Sequence, residues 1–148
     1  MSNPITFFIP GIPQPKGSSK AFASRHTGKI IVQNANKKSM PWQNQVSWEA
    51  NERRPETPWL GPMSISLEFT FTKPPTSKRQ SPTVRPDLDK LARNILDSLE
   101  KIFYHNDAQV TALFLSKAYA DAPGVLIGIR EVGEIEQKHY PGGTLCHE

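Results

Sequence analysis

The feature that most restricts the fold is a nine-residue stretch, MSISLEFTF, in which apolar and polar side chains alternate. Period two puts successive side chains on opposite faces of an extended strand. The stretch therefore predicts a β-strand over 63–71 with one face in a core and the other outside it. The core-facing side chains would be Met63, Ile65, Leu67, Phe69 and Phe71.

A second periodicity predicts an amphipathic helix that starts near Pro86. Its apolar side chains recur every three or four residues. Pro86 suits the first turn of this helix, and Asp87 suits its N-terminus, where the helix dipole favours negative charge. The apolar stripe is formed by Leu88, Leu91, Ile95, Leu99 and Ile102, widened by Ala92 and Leu96.

The rest of the chain predicts one more helix and several short strands. Ser39 is predicted to cap a helix that begins near Pro41 and presents Trp42, Val46 and Ala50 on one face. Gly28 supplies the turn of a hairpin. The predicted strands are 5–10, 21–24, 29–33, 110–119 and 124–129.

This order of elements favours an α+β fold. We expect a mixed, largely antiparallel sheet with two helices packed on one face. A single domain is predicted over residues 1–132. Residues 133–148 have no periodicity and are predicted to form a flexible tail.

Composition excludes several classes of protein. Cys146 is the only cysteine, so an intramolecular disulfide and a cysteine-based zinc site are excluded. We expect no secretory leader, and the sequence contains no apolar run of about 20 residues and no glycine-rich nucleotide-binding loop. We therefore expect a cytoplasmic protein without a nucleotide cofactor.

A basic excess points to a polyanionic partner. The chain carries 18 Lys and Arg against 14 Asp and Glu, a net charge of +4. The stretch 73–86 holds four prolines and four basic residues without an acid, which predicts an exposed basic loop. Its cations would contact phosphates without reading sequence, although lysines in polar loops are often simply solvated. The candidate phosphate-binding residues are Lys16, Lys20, Lys73, Lys78, Arg79, Arg85 and Lys90.

Four aspartates follow this basic loop, and the first two come directly after it. Asp87, Asp89, Asp97 and Asp107 offer the hard oxygen ligands that suit Mg²⁺ or Mn²⁺. Each also has a structural interpretation: a helix start, an i,i+4 pair between Asp97 and Lys101, or a turn. Asp107 can join the others only if the segment after the helix runs back alongside it. Otherwise a partner chain supplies the missing ligand.

The stretch PDLDKLARNILDSL, followed by NDAQV, resembles the central motif of the RusA family of Holliday junction resolvases. GIPQPKG resembles the proline-rich start of that family, so the resemblance spans roughly residues 5 to 130. It implies a small homodimeric, Mg²⁺-dependent endonuclease that cuts four-way DNA junctions. By the resemblance, Asp87, Asp89 and Asp107 are the metal-binding carboxylates.

The chain departs from the family pattern at two positions. Lys90 stands where the family usually has Asn, and Arg93 where it usually has a catalytic Lys. Arg93 can fill an electrostatic role, but it cannot readily give up a proton. If the family's Lys acts in proton transfer, either this chain lacks that activity or Lys90 takes over the role.

These observations leave three hypotheses. The first is a metal-dependent endonuclease that resolves Holliday junctions in DNA recombination and repair, with Asp87, Asp89, Asp107 and Arg93 as catalytic residues. The second is a non-catalytic junction-binding protein of the same fold, and the third is an RNA-directed nuclease. A wedge at the junction centre is a further role for Phe22 or Trp59, although core packing is the simpler interpretation of both.

Overall fold

The computed structural model describes residues 3–17, 19–34, 36–134 and 137–139. Eight elements and one short 3₁₀ turn follow in chain order. They are β1 (Ile5–Pro10), β2 (Ser19–Ala23), β3 (Ile30–Asn34), α1 (Ser39–Arg53), β4 (Met63–Phe71), α2 (Leu88–Leu99), the 3₁₀ turn (Asp107–Gln109), β5 (Val110–Tyr119) and β6 (Gly124–Glu131).

Four strands form the main sheet in the order β1-β6-β4-β5. β6 is antiparallel to both β1 and β4, while β5 is parallel to β4. A parallel neighbour requires a crossover, and α2 provides it. The mixed, mostly antiparallel sheet and the two helices confirm the predicted α+β class. β2 and β3 form a separate two-stranded sheet.

The core lies between the main sheet and the two helices. β4 follows the predicted alternation, with four side chains from Met63 to Phe69 fully buried. Phe71, the fifth predicted core residue of this strand, is only half-buried at its end. The helices contribute the residues that their spacing predicts: Trp42, Val46 and Ala50 from α1, and Leu91, Ala92, Ile95 and Leu99 from α2.

The starts of both helices differ from the prediction. Ser39 is not the cap of α1 but its first residue, buried, and its hydroxyl donates to the Asn94 side chain on α2. Pro86 precedes α2 instead of entering its first turn, because the first helical residue is Leu88 and Asp87 is the N-cap. Asp87 makes no side-chain capping bond, so its carboxylate is not used by the helix terminus.

The C-terminal segment lies mostly outside the described residues. Gly133, Glu134 and residues 137–139 belong to no helix or strand. The flexible tail predicted from residue 133 therefore stays a prediction. Across the described ranges, neither helix has the length and hydrophobicity that crossing a membrane requires.

Candidate active site

The first two predicted ligands lie at the start of α2. Asp87 and Asp89 are exposed, and Asp87 makes a 3.3 Å ion pair with Lys90. Arg93, one helical turn after Asp89, is also exposed and pairs with no described acidic group. Two acids and two cations thus meet solvent at one helix end, where a phosphate group can reach them.

A surface cleft of about 500 Å³ opens beside this helix end. One wall is the proline-rich segment from Ile12 to Pro15. The other contains Arg85, Asp87 and Lys90, so the cleft presents both signs of charge. Lys117 of β5 binds the chain just before this helix end, because its ammonium donates to the carbonyls of Val84 (2.8 Å) and Pro86 (3.0 Å). This contact fixes the C-terminal end of the basic loop directly before Asp87.

The third predicted ligand, Asp107, lies elsewhere. It opens the 3₁₀ turn before β5, and its Oδ1 is 3.0 Å from the hydroxyl of buried Tyr104. The same hydroxyl lies 2.8 Å from the carbonyl of Leu96 on α2. Tyr104 therefore ties Asp107 to the C-terminal half of that helix.

The surroundings of Asp107 disfavour the ionised form of its carboxyl group. Burial raises the pKa of its carboxyl above the usual value, and the carboxylates of Glu100 and Asp97 raise it further. The Tyr104 hydrogen bond and the Lys16 ammonium act in the opposite direction. Burial also raises the pKa of Tyr104, so its phenol stays protonated and can donate. An added cation near Asp107 would offset the carboxylate repulsion.

Asp97 belongs to the surroundings of Asp107, and its predicted pairing with Lys101 is wrong. Its carboxylate contacts Lys16 at 2.5 Å, while Lys101 donates to the carbonyl of His105. The Lys16 backbone also donates to the Lys90 carbonyl, which holds the proline-rich segment along α2. Because the side chains of the pair are about 30% exposed, we expect it to contribute less than about 1 kcal/mol.

The predicted ligands thus lie at two separate places: Asp87 and Asp89 at the start of α2, and Asp107 in the turn held near its C-terminal half. Asp97, which lies near Asp107, comes eight positions after Asp89 on the helix, a rise of about 12 Å. β5 does run back beside the helix, but it starts near the helix C-terminus, and Lys117, two residues before its end, lies near the helix N-terminus. In the described part of the chain, no three Asp, Glu, His or Cys side chains converge as a metal site would require. The carboxylates suit Mg²⁺ chemically, but one chain does not bring all three together.

The turn that holds Asp107 explains the rest of its motif. Asn106 caps the 3₁₀ turn by accepting from the Ala108 amide at 2.8 Å. Gln109 accepts from the amide of Asn106 and donates to the carbonyls of Trp59 (2.9 Å) and Gly61 (3.0 Å). Both polar side chains are therefore occupied in fixing the turn.

Comparison with known proteins gives two consistent findings. The family model described as endodeoxyribonuclease RusA matches residues 10–130. The chain belongs to the RusA family. A protein of Bacillus subtilis strain 168 named uncharacterized protein YqaN is 31% identical over 140 residues, which cover 86% of this chain and 96% of that one. Membership implies an endodeoxyribonuclease, a hydrolase acting on DNA, with Holliday junction resolvase activity.

The basic residues that were predicted to contact DNA have different surroundings in this RusA-family chain. Lys16 and Lys90 are paired with Asp97 and Asp87. The side chain of Lys20 lies outside the described residues. The cations of the basic loop are exposed and make no ion pair with any described acid. These are Lys73, Lys78, Arg79 and Arg85.

Three residues of this RusA-family site were not predicted from the sequence. Tyr104 and Lys117 carry no motif, and only the fold shows that they hold Asp107 and the end of the basic loop. Asn94 is fully buried on α2, where it binds α1 and the proline-rich segment together. A signal for Asn94 does exist, because a polar residue interrupts the apolar stripe between Leu91 and Ile95.

Replacing Tyr104 with phenylalanine tests how Asp107 is held. The hydroxyl donates to the charged carboxylate, so its loss should raise the pKa of Asp107 further. We also expect a loss of about 1 kcal/mol in the free energy of unfolding. Carboxyl ¹³C NMR in metal-free buffer measures the titration, and urea denaturation measures the stability. Tyr119→Phe on β5 is the matched control. A lower Asp107 pKa in Tyr104→Phe would contradict the assignment.

Proposed function

We propose that this RusA-family protein is a Mg²⁺-dependent endonuclease that resolves Holliday junctions by paired cuts during DNA recombination and repair. The family match over residues 10–130 carries this proposal. Its acidic positions, Asp87, Asp89 and Asp107, all retain carboxylates in this chain. Because Asp87 and Asp89 are exposed, a metal ion that they hold would be open to a DNA phosphate.

We place the metal between two copies of the chain. Asp87 and Asp89 of one protomer would hold Mg²⁺ together with the partner's Asp107, because the three do not meet within one chain. A symmetric dimer then has two equivalent sites, as two symmetric cuts require. Bound Mg²⁺ would supply an activated water and offset the charge of the scissile phosphate. The raised pKa of Asp107 supports this placement, since a bound cation would stabilise the carboxylate and lower that pKa.

Arg93 is proposed to bind the scissile phosphate. It is exposed one turn after Asp89, and its guanidinium can make two parallel hydrogen bonds to phosphate oxygens. Because an arginine does not readily lose a proton, its contribution is electrostatic. Lys90 is the cation at this helix end that can transfer a proton, and Asp87 is 3.3 Å from its ammonium.

The basic loop is proposed to bind the arms of the junction. Its four cations are exposed and unpaired with the described acids, so they remain available to phosphates. Such contacts give affinity that falls with salt and does not depend on sequence. Lys117 supports this loop from β5 by binding its last carbonyls.

Cleavage of a synthetic four-way junction tests the proposal. We expect the wild type with Mg²⁺ to cut the junction, and Asp89→Asn to bind it without cutting, a loss of at least about 10³-fold in rate. Chelation should abolish cutting by the wild type.

Two results would contradict the endonuclease proposal. If wild type and Asp89→Asn both bind and neither cuts, the protein is a junction-binding member of the family, the alternative that Arg93 favours. If structured RNA competes better than the junction, the substrate is RNA.

A further inference from the structure

The β2–β3 hairpin, hereafter the arm (residues 19–34), projects its apolar side chains into solvent. Among its described side chains, Ile30 is 76% exposed, Val32 65% and Phe22 47%. None of the described arm residues belongs to the hydrophobic core. Core packing is therefore the wrong interpretation for Phe22, whereas Trp59 does pack against the core.

The arm is apolar on both faces. Phe22 lies opposite Ile31, and the neighbouring pairs Ala21–Val32 and Ala23–Ile30 point to the other face because side chains alternate along a strand. A hairpin that rests on a core needs only one apolar face. Two apolar faces suit a ribbon that is covered from both sides, and an isolated hairpin is at best marginally stable.

The turn of the arm is well defined and basic. The amide of Ser24 donates to the Lys29 carbonyl at 2.8 Å, and Gly28 adopts the left-handed conformation with φ 66°. This geometry presents Arg25, His26 and Lys29 at the exposed tip. The tip therefore carries two permanent positive charges without an acid beside them.

The charge of the whole N-terminal region restricts what can cover the arm. The first acidic residue of the chain is Glu49, so residues 1–48 hold no carboxylate. They carry six cations, Lys16, Lys20, Arg25, Lys29, Lys37 and Lys38. A polyanion complements this charge, whereas a second copy would bring the same positive region. DNA also offers apolar surface, but only where its bases are unstacked.

We propose that the arm inserts between the unstacked bases at the branch point of a DNA junction. Its two apolar faces would contact the bases on either side, and Arg25 and Lys29 would bind the phosphates beyond them. This inference rests on the proposed function and deepens it, because it makes the arm the element that distinguishes branched from linear DNA. Contacts by the basic loop and the tip would strengthen binding to both kinds of DNA alike.

The test compares arm variants in an Asp89→Asn parent, which keeps the DNA uncut. The double variant Ile30→Thr/Val32→Thr removes apolar surface while keeping β-branched side chains suited to a strand. Leu60→Thr is the matched control, because Leu60 is 80% exposed and lies outside the arm. Binding is measured to a four-way junction and to a linear duplex, and 2-aminopurine at the branch point reports unstacking by its fluorescence.

We expect the double variant to bind the junction about tenfold more weakly, to bind the duplex unchanged and to lose the 2-aminopurine signal. Leu60→Thr should behave as the parent. Arg25→Gln/Lys29→Gln should weaken binding to both DNAs and reduce the slope of log K against log salt by about 2.

Three outcomes would overturn the inference. If the parent binds the junction and the double variant matches it in affinity and fluorescence, the arm does not enter the branch point. If the double variant instead changes the molar mass of the assembly, the arm binds a second copy. If the parent binds neither DNA, the proposed function itself fails.

Discussion

Mixing two inactive variants, Asp89→Asn and Asp107→Asn, is expected to restore cleavage of a four-way junction. In a site shared between protomers, Asp87 and Asp89 come from one chain and Asp107 from the other. A mixed dimer then contains one site with both substitutions and one site with neither. If all three carboxylates acted within one chain, both sites of the mixed dimer would carry a substitution.

The expected activity follows from counting intact sites. Random mixing gives about half mixed dimers, each with one of its two sites intact, so nicking should recover to about a quarter of the wild-type rate. Paired cuts should stay absent, because no dimer has two intact sites. Junctions labelled at the end of each strand distinguish single nicks from resolved products.

The pair Asp87→Asn and Asp89→Asn is the matched control. Both substitutions affect the same half of a site, so every mixed dimer lacks an intact site and should stay inactive. Mass measurement on differently tagged chains establishes that mixed dimers have formed. If such dimers of Asp89→Asn and Asp107→Asn do not nick DNA, the shared site is wrong.

The elements that could be predicted from the sequence are those that depend on local periodicity. The alternation in 63–71 defines β4, and the spacing from Leu88 to Leu99 defines α2, because each pattern reports which face of one element is buried. The pairing of β1 with β6 joins residues more than 110 positions apart along the chain, and no local pattern records it.

The residues of the candidate site also differ in whether local sequence or long-range pairing sets their position. Asp87 and Asp89 at a helix start could be predicted, since they follow directly from where the helix begins. The position of Asp107 depends on the crossover from β4 through α2 to β5, which the sequence does not specify. The Lys16–Asp97 pair spans 81 positions and replaces the local pair with Lys101 that helix spacing suggested.

Loss of the Asn94 side chain on α2 is expected to weaken the fold around the site. Its side chain is fully buried between three parts of the chain. Its Oδ1 accepts from the Ser39 hydroxyl at 3.1 Å and from the Gln43 amide, and its Nδ2 donates to the Gln14 carbonyl at 2.9 Å. One amide thus connects α1, α2 and the proline-rich segment.

Asn94→Leu should lower the free energy of unfolding by about 3 kcal/mol. It fills a similar volume but leaves three polar groups without their partner, at a cost of about 1 kcal/mol or more each. For a domain of this size the melting temperature should fall by about 10 °C. Urea denaturation and thermal melting measure the two quantities.

Asn51→Leu is the matched control, because Asn51 is an exposed asparagine on α1. Its substitution should change stability by less than about 0.5 kcal/mol.

Asn94→Asp separates the two kinds of hydrogen bond: its carboxylate still accepts from Ser39 and Gln43 but repels the Gln14 carbonyl. If Asn94→Asp is as stable as the wild type, the bond to the proline-rich segment contributes nothing. A wild-type melting temperature in Asn94→Leu would show that the network does not stabilise the fold. With the segment loosened, Lys16 would lose its fixed position at Asp97, so junction cleavage should fall in Asn94→Leu even below its melting temperature.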